Sequence, residues 1–292
     1  MSESASSLRR KIASAGDLQS VVRTMKALAA SNIGQYEKSV KALSDYYRTV
    51  ELGLGVCFRT GPSIVKHEVT AETDGIGAIV FGSDQGLVGQ FNDTIVDFAV
   101  NTLASLQGKA QVWAVGDRVH ARLLDSGLPL MGSFNLPSSV QAIAGLVSQI
   151  QIQSESMEAR GKYSRVYVFH NQPRAGALYE PVSQRLLPLD ADWQASLIHI
   201  PWPSKIHPEI LGDSAKTLIA FIREYLFISL FRACAESLAS ENSSRLAAME
   251  RAEKNIKELL ETLHTTSHRL RQGRIDEELF DVISGFEALG GT

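Results

Sequence analysis

Residues 8–54, LRRKIASAGDLQSVVRTMKALAASNIGQYEKSVKALSDYYRTVELGL, decide the fold, because their apolar residues recur at alternating spacings of four and three. The row runs Leu8, Ile12, Ala15, Gln19, Val22, Lys26, Ala29, Ile33, Tyr36, Val40, Leu43, Tyr47, Val50 and Leu54, and only Gln19 and Lys26 are polar. A seam that narrow and that long is the signature of a helix paired with another helix. Gly16 and Gly34 each weaken such a helix by roughly 1 kcal/mol relative to alanine, which does not stop it.

A second seam lies at the other end of the chain. Met249, Ile256, Leu263 and Leu270 recur every seven residues, Leu246 and Leu260 supply the alternate position, and Glu253 and Ser267 interrupt that second row. Asp213 and Ser214 are capping residue types ahead of this segment, and Gly290 with Gly291 ends it. The spacing predicts a helix of about 80 residues, roughly 120 Å long at 1.5 Å per residue. All nine prolines fall between Pro62 and Pro208, so both flanks are free of helix breakers.

Between the flanks, short β-branched runs at Ile76 to Phe81, Gln111 to Val115 and Arg165 to Phe169 read as buried strands. Segments near 92–106, 117–126 and 138–160 read as helices. The predicted fold class is therefore α/β: a long antiparallel coiled coil of N- and C-terminal helices with an inserted small α/β, Rossmann-like domain. The expected division is 1–61 for the first coiled-coil helix, 62–207 for the inserted domain and 208–292 for the second helix.

Composition excludes several function classes. The 292 residues carry a net charge of −3, with 29 basic and 32 acidic residues, so no phosphate-binding excess of positive charge exists and no nucleic-acid partner is expected. Cys57 and Cys234 form no metal-binding pattern, and they read as buried thiols in a reducing compartment. The most apolar stretch, Leu218 to Ala235, contains Arg223, Glu224 and Arg232, which argues against a membrane span. The opening residues lack a signal-peptide run. Membrane contact is expected only through partners.

Three motifs suggest chemistry and are better explained without it. The loop FGSDQGLVGQFN at 81–92 sits between a strand and a helix, where a phosphate loop would sit. Its Gly82, Gly86 and Gly89 match neither dinucleotide nor P-loop spacing, and no lysine follows, so it reads as a tight turn. His264 and His268 have the i, i+4 spacing of a zinc helix, but Thr265 stands where the general base belongs. Arg9, Arg10 and Lys11 form a basic run that suits a solvated face or an acidic partner. No catalytic residue, cofactor or metal ligand is assigned.

Four blocks of sequence resemble one known family. LRRKIASAGDLQSVVRTMKALAASN (8–32), SDQGLVGQFN (83–92), SLASENSSRLAAMERAEKNIKELL (237–260) and LRQGRIDEELFDVISGFEAL (270–289) are similar, in this order, to gamma subunits of F-type ATP synthases. Val88 stands where many members have cysteine, and the approach to Arg271 lacks the usual tyrosine, which marks a divergent branch.

The resemblance implies a central-stalk rotor that couples ion flow through a membrane ring to ATP synthesis or hydrolysis, without catalysis of its own. It implies as partners the alpha and beta subunits of the catalytic hexamer, an epsilon subunit and the membrane c-ring, at the cytoplasmic face of a bacterial inner membrane. Carried over by motif, Met25, Lys26, Arg245, Arg271 and Gln272 are the expected contacts with the surrounding ring. The residues alone leave two other readings: a non-rotary coiled-coil scaffold, and an enzyme built on the α/β domain with a helical dimerisation arm.

Overall fold

A computed structural model describes residues 5–60, 75–158, 165–174, 177–189, 191–206 and 208–289. Its first element, helix α1 (Ala5–Thr60), is 56 residues long. Its last, helix α6 (Ser214–Leu289), is 76 residues long, close to the expected length. The side chain of Asp213 caps α6 by accepting from the amides of Ala215 and Lys216. Gly290, Gly291, and residues 61, 62 and 207 at the expected domain boundaries lie outside the described residues.

Between these helices come strand β1 (Gly75–Phe81), helix α2 (Phe91–Ser105), strand β2 (Lys109–Val115), helix α3 (Asp117–Asp125), strand β3 (Leu130–Phe134), helix α4 (Val140–Glu158), strands β4 (Arg165–Arg174) and β5 (Ala177–Leu187), and helix α5 (Ala191–Ile198). The three expected strands are β1, β2 and the first half of β4, and the three expected helices are α2, α3 and α4. Residues 159–160, the end expected for the third helix, are outside the described residues. Strands β3 and β5 and helix α5 are additions.

The chain packs as two compact units. The larger, Ala30–Arg245, holds one sheet in the order β3-β2-β1-β4-β5, parallel throughout except for the antiparallel pair β4 and β5. Central strand β1 is buried on both faces, which is why it reads as a continuous apolar run. Alternation along it separates two cores. Ile76, Ala78 and Val80 pack with α2 and α3 through Ile95, Ala99, Val119 and Leu123. Ile79 and Phe81 face α4 and α6 through Ile143, Val147, Leu230, Cys234 and Leu238.

In the same unit α1 lies antiparallel to α6, with Asn32 Nδ2 donating to Asn242 Oδ1 at 3.4 Å and Tyr46 Oη donating to Glu224 Oε1 at 2.9 Å. Val50, Leu54, Cys57 and Phe58 of α1 pack with Leu218, Tyr225 and Ile228 of α6 and with Leu197 of α5. Trp193 closes this cluster, its indole N–H donating to Tyr225 Oη at 3.1 Å. Cys57 and Cys234 are buried free thiols. Burial pushes both above the ordinary thiol range, Cys234 further.

The smaller unit contains α1 up to Ala29 and α6 from Leu246. Here too the helices run antiparallel, since Arg23 meets Glu253 while Lys26 also reaches back to Glu250. Val22, Met249 and Ile256 form the core, flanked by Met25, Ala252 and Leu260. Across α1 as a whole every residue of the first seam is buried or half-buried, including Gln19 and Lys26. Each fully buried Leu, Ile or Val side chain contributes roughly 1.5–3 kcal/mol, so a seam of this length needs no special residue to hold it.

Candidate functional site

The glycine loop after β1 closes on itself. Ser83 N–H donates to Asn92 Oδ1 at 3.0 Å, Asn92 Nδ2 returns a bond to Ser83 Oγ at 2.8 Å, and Ser83 Oγ donates to the Gln85 carbonyl at 2.9 Å. Arg118 N–H takes the Ser83 carbonyl and Asp117 N–H takes Asp84 Oδ1. Leu87 and Gly89 have φ of 63° and 59°, the left-handed turn that glycine favours. A Cβ at Gly82 would collide with Val119. Such a loop ties β1 to α2 and α3, with Ser83, Asp84 and Asn92 engaged within the fold.

His264 and His268 both lie on the exposed side of α6, and the described residues hold no group of three or more metal-binding side chains. Arg9, Arg10 and Lys11 are exposed.

The five expected contact residues fall into four environments. Met25 is half-buried in the smaller unit's core. Lys26 Nζ lies 3.1 Å from Glu253 Oε2 and 3.7 Å from Glu250 Oε1, and Arg23 Nε lies 3.0 Å from Glu253 Oε1. Bonds from Lys26 and then Arg23 hold the Glu253 carboxyl below its ordinary value. Arg245 is nearly buried, with one guanidinium nitrogen donating to Glu241 Oε1 at 2.6 Å and its Nε lacking a partner. Burial pushes Glu241 up, Arg245 offsets part of that, and Asp84 adds to it. Arg271 and Gln272 are exposed.

Beyond them lies a feature that the motif comparison missed. From Arg271 to Gly285 every residue of α6 is exposed, yet the segment carries Ile275, Leu279, Phe280, Val282 and Ile283. Ile275, Leu279, Val282 and Ile283 follow the i, i+4, i+7, i+8 spacing of one helix face. The signal was present in the sequence as an apolar i, i+4, i+7, i+8 pattern beyond Leu270, the last seam residue, on a different face of the helix from the seam. Contiguous exposed apolar surface is the kind on which partner proteins dock.

A second polar cluster lies inside the larger unit. His170 of β4 and Glu236 of α6 are both buried, and Nε2 of the ring lies 2.8 Å from Glu236 Oε2. Arg232 Nε donates to the other carboxylate oxygen at 2.7 Å. Burial pushes Glu236 up, but the bonds from His170 and Arg232 outweigh it and leave the carboxyl below its ordinary value. The carboxylate is thus ionised near neutral pH, which assigns the His170 Nε2 proton as the donor. A cleft of about 260 Å³ borders this cluster and also reaches Ser229 and Tyr47.

Sequence comparison points one way. The chain is 26% identical to the ATP synthase gamma chain of Bdellovibrio bacteriovorus and 25% identical to those of Dechloromonas aromatica and Cupriavidus necator, in each case over 97% of this chain and 98% of the relative. A family model described as ATP synthase matches residues 4–289. The chain belongs to the ATP synthase gamma-chain family. As a member it is a central-stalk rotor subunit of a rotary ATP synthase, and it is not itself catalytic. Family membership displaces the scaffold and enzyme readings.

Solved structures agree on the fold. The rotor of the Euglena gracilis mitochondrial ATP synthase superposes with a TM-score of 0.63 at 15% identity, covering 93% of this chain and 98% of that one. A chain from the Tetrahymena thermophila mitochondrial ATP synthase central stalk and c-ring gives 0.56 at 20% identity, covering 80% and 99%.

Proposed function

We propose that this rotor engages the alpha and beta subunits of a catalytic hexamer through the far end of α6 and through Met25, Lys26, Arg245, Arg271 and Gln272. An epsilon subunit and a membrane c-ring engage the inserted domain. The reading keeps the division into helices 1–61 and 208–292 around a domain at 62–207, and it places the subunit peripherally at the cytoplasmic face of a bacterial inner membrane. None of the described helices is long and apolar enough to cross a membrane.

One observation carries the proposal: α6 continues past its last seam residue as an exposed helix with an apolar stripe and, at its start, Arg271 and Gln272. A shaft turning in a protein bearing suits a mostly apolar, weakly specific surface, so that no single angle is too deep a trap. It also suits a few fixed polar donors. A guanidinium offers several donors in fixed geometry to carboxylates and carbonyls of successive ring subunits.

The test is the double substitution Arg271→Ala with Gln272→Ala. The free chain is expected to fold as before, while assembly with the hexamer or ATP-driven ion pumping weakens. Unchanged assembly and pumping would remove these two residues from the coupling role.

A further inference from the structure

Torque has to pass between the sheet and α6 inside the larger unit, and the residues of α6 at that crossing are poorly shaped for it. From Ala233 to Asn242 ten consecutive residues are buried, so the helix is covered on every side, and six of them are alanine, serine or cysteine. Small side chains make a smooth helix with shallow ridges. Apolar contact with such a surface is strong but non-directional, and it resists sliding and twisting weakly.

Two directional bonds cross from β4 to this smooth segment. His170 Nε2 donates to Glu236 Oε2 at 2.8 Å, and Ser240 Oγ donates to the Asn171 carbonyl at 3.0 Å. On β4 the two partners are adjacent residues; on α6 they are four apart, one above the other on the same face. Two bonds one helical turn apart fix the helix against both translation and rotation, which a single bond would not. Each side is braced. Arg232 holds Glu236 from the preceding turn of α6, and Asn171 Nδ2 donates to the Phe91 carbonyl at the start of α2 at 3.0 Å.

We propose that His170–Glu236 and Ser240–Asn171 form a clamp that transmits torque between the sheet and α6, with His170 and Ser240 as positioning residues for rotation. The proposal rests on the rotor reading and adds to it the place where the load crosses. Because the clamp joins two parts of one rotor, its removal leaves catalysis in the hexamer untouched. What changes is torsional stiffness.

The experiment uses the whole complex carrying His170→Phe with Ser240→Ala. Phenylalanine keeps the ring and lacks the donor, and Glu236 retains Arg232. Unloaded ATP hydrolysis and complex yield are expected to match wild type, while the angular variance of a probe on the stalled rotor at least doubles. Ion uptake into vesicles against an opposing gradient is expected to fall. His170→Gln made alone, with Ser240 intact and an amide N–H that reaches a similar position, is expected to keep both at wild-type levels.

Equal variance and equal uptake in an assembled double variant would overturn the clamp. Should the double variant fail to assemble, Ser240→Ala, which removes one hydroxyl, decides by the same variance: a rise supports the clamp and no change overturns it. A wild-type chain that never enters the complex overturns the rotor reading and the clamp with it. A pumping wild type with indistinguishable variants overturns the clamp alone.

Discussion

Lys26 Nζ lies 3.1 Å from Glu253 Oε2, so the polar interruption of the first helical seam meets a polar interruption of the second. A charge placed alone in a seam weakens the pairing, whereas two opposite charges placed across from each other favour one register over the slipped alternatives. Arg23 shares the same carboxylate. The pair is only partly shielded from solvent, so its value lies in register more than in net stability. Lys26→Ala and Glu253→Ala, made singly and together, should be non-additive, the double variant losing less than the two single losses combined. Denaturant midpoints check this, and strict additivity would deny the coupling.

Acid sensitivity follows from the carboxylates. Glu236 is held below its ordinary value because the His170 and Arg232 bonds outweigh the effect of burial. A depressed folded value means a contribution that is present above the unfolded carboxylate pKa of about 4.3 and lost as pH falls through the folded one. Glu241 is raised, chiefly by burial, so its contribution has the opposite sign: present below the unfolded value and lost as pH rises through the folded one. Denaturant midpoints measured downward from neutral pH should therefore fall less steeply in Glu236→Gln and more steeply in Glu241→Gln than in wild type. Parallel curves would sink the assignment.

Two glycines of α1 should respond oppositely to alanine. Gly34 has nothing within 4 Å of where a Cβ would stand, so Gly34→Ala only removes backbone freedom and should stabilise by up to about 1 kcal/mol. At Gly55 the added carbon would stand 2.5 Å from the Leu197 carbonyl oxygen, a backbone atom that cannot step aside without moving α5. Gly55→Ala should cost about 1–3 kcal/mol, in the range of an overpacked core. Thermal unfolding of both variants separates the cases; a stabilised Gly55→Ala would mean that the contact between α1 and α5 is looser than described.

The parts of the fold that were legible in the sequence are those with a strong period. Every seam position from Leu8 to Leu54 faces inward, and β1 is apolar on both faces because it lies at the centre of a parallel sheet. The missed elements are edges and short pieces. β5 carries Pro181, which argues against a strand unless the strand lies at an edge, where β5 lies. β3 is five residues at the opposite edge, only partly buried, and α5 is an eight-residue helix. Lys26 could be recognised as an interruption, but its partner depended on the relative register of two helices more than two hundred residues apart. His170 carried no signal, since a histidine in a strand is as consistent with a solvated face as with a buried bond to Glu236.

The last prediction concerns the exposed stripe of α6. Ile275, Leu279, Val282 and Ile283 share a helix face and are largely open to solvent in the free chain: Ile275 is 52% exposed, Leu279 58%, Val282 69% and Ile283 46%. Substitutions at such exposed positions usually shift stability by no more than about 0.5 kcal/mol. Leu279→Asp with Ile283→Asp should therefore leave thermal unfolding of the free chain nearly unchanged. In a bearing, both carboxylates would be carried into an apolar surface without partners, and that desolvation costs several kcal/mol. Incorporation into the hexamer should consequently fall at least tenfold, the factor that about 1.4 kcal/mol produces. Glu277→Asp and Glu278→Asp, which keep their charges on α6, are the controls and should assemble as wild type does. A Leu279→Asp, Ile283→Asp chain that incorporates as fully as the controls would show that this face turns without touching the ring, and the contact surface would then have to lie on the other side of α6.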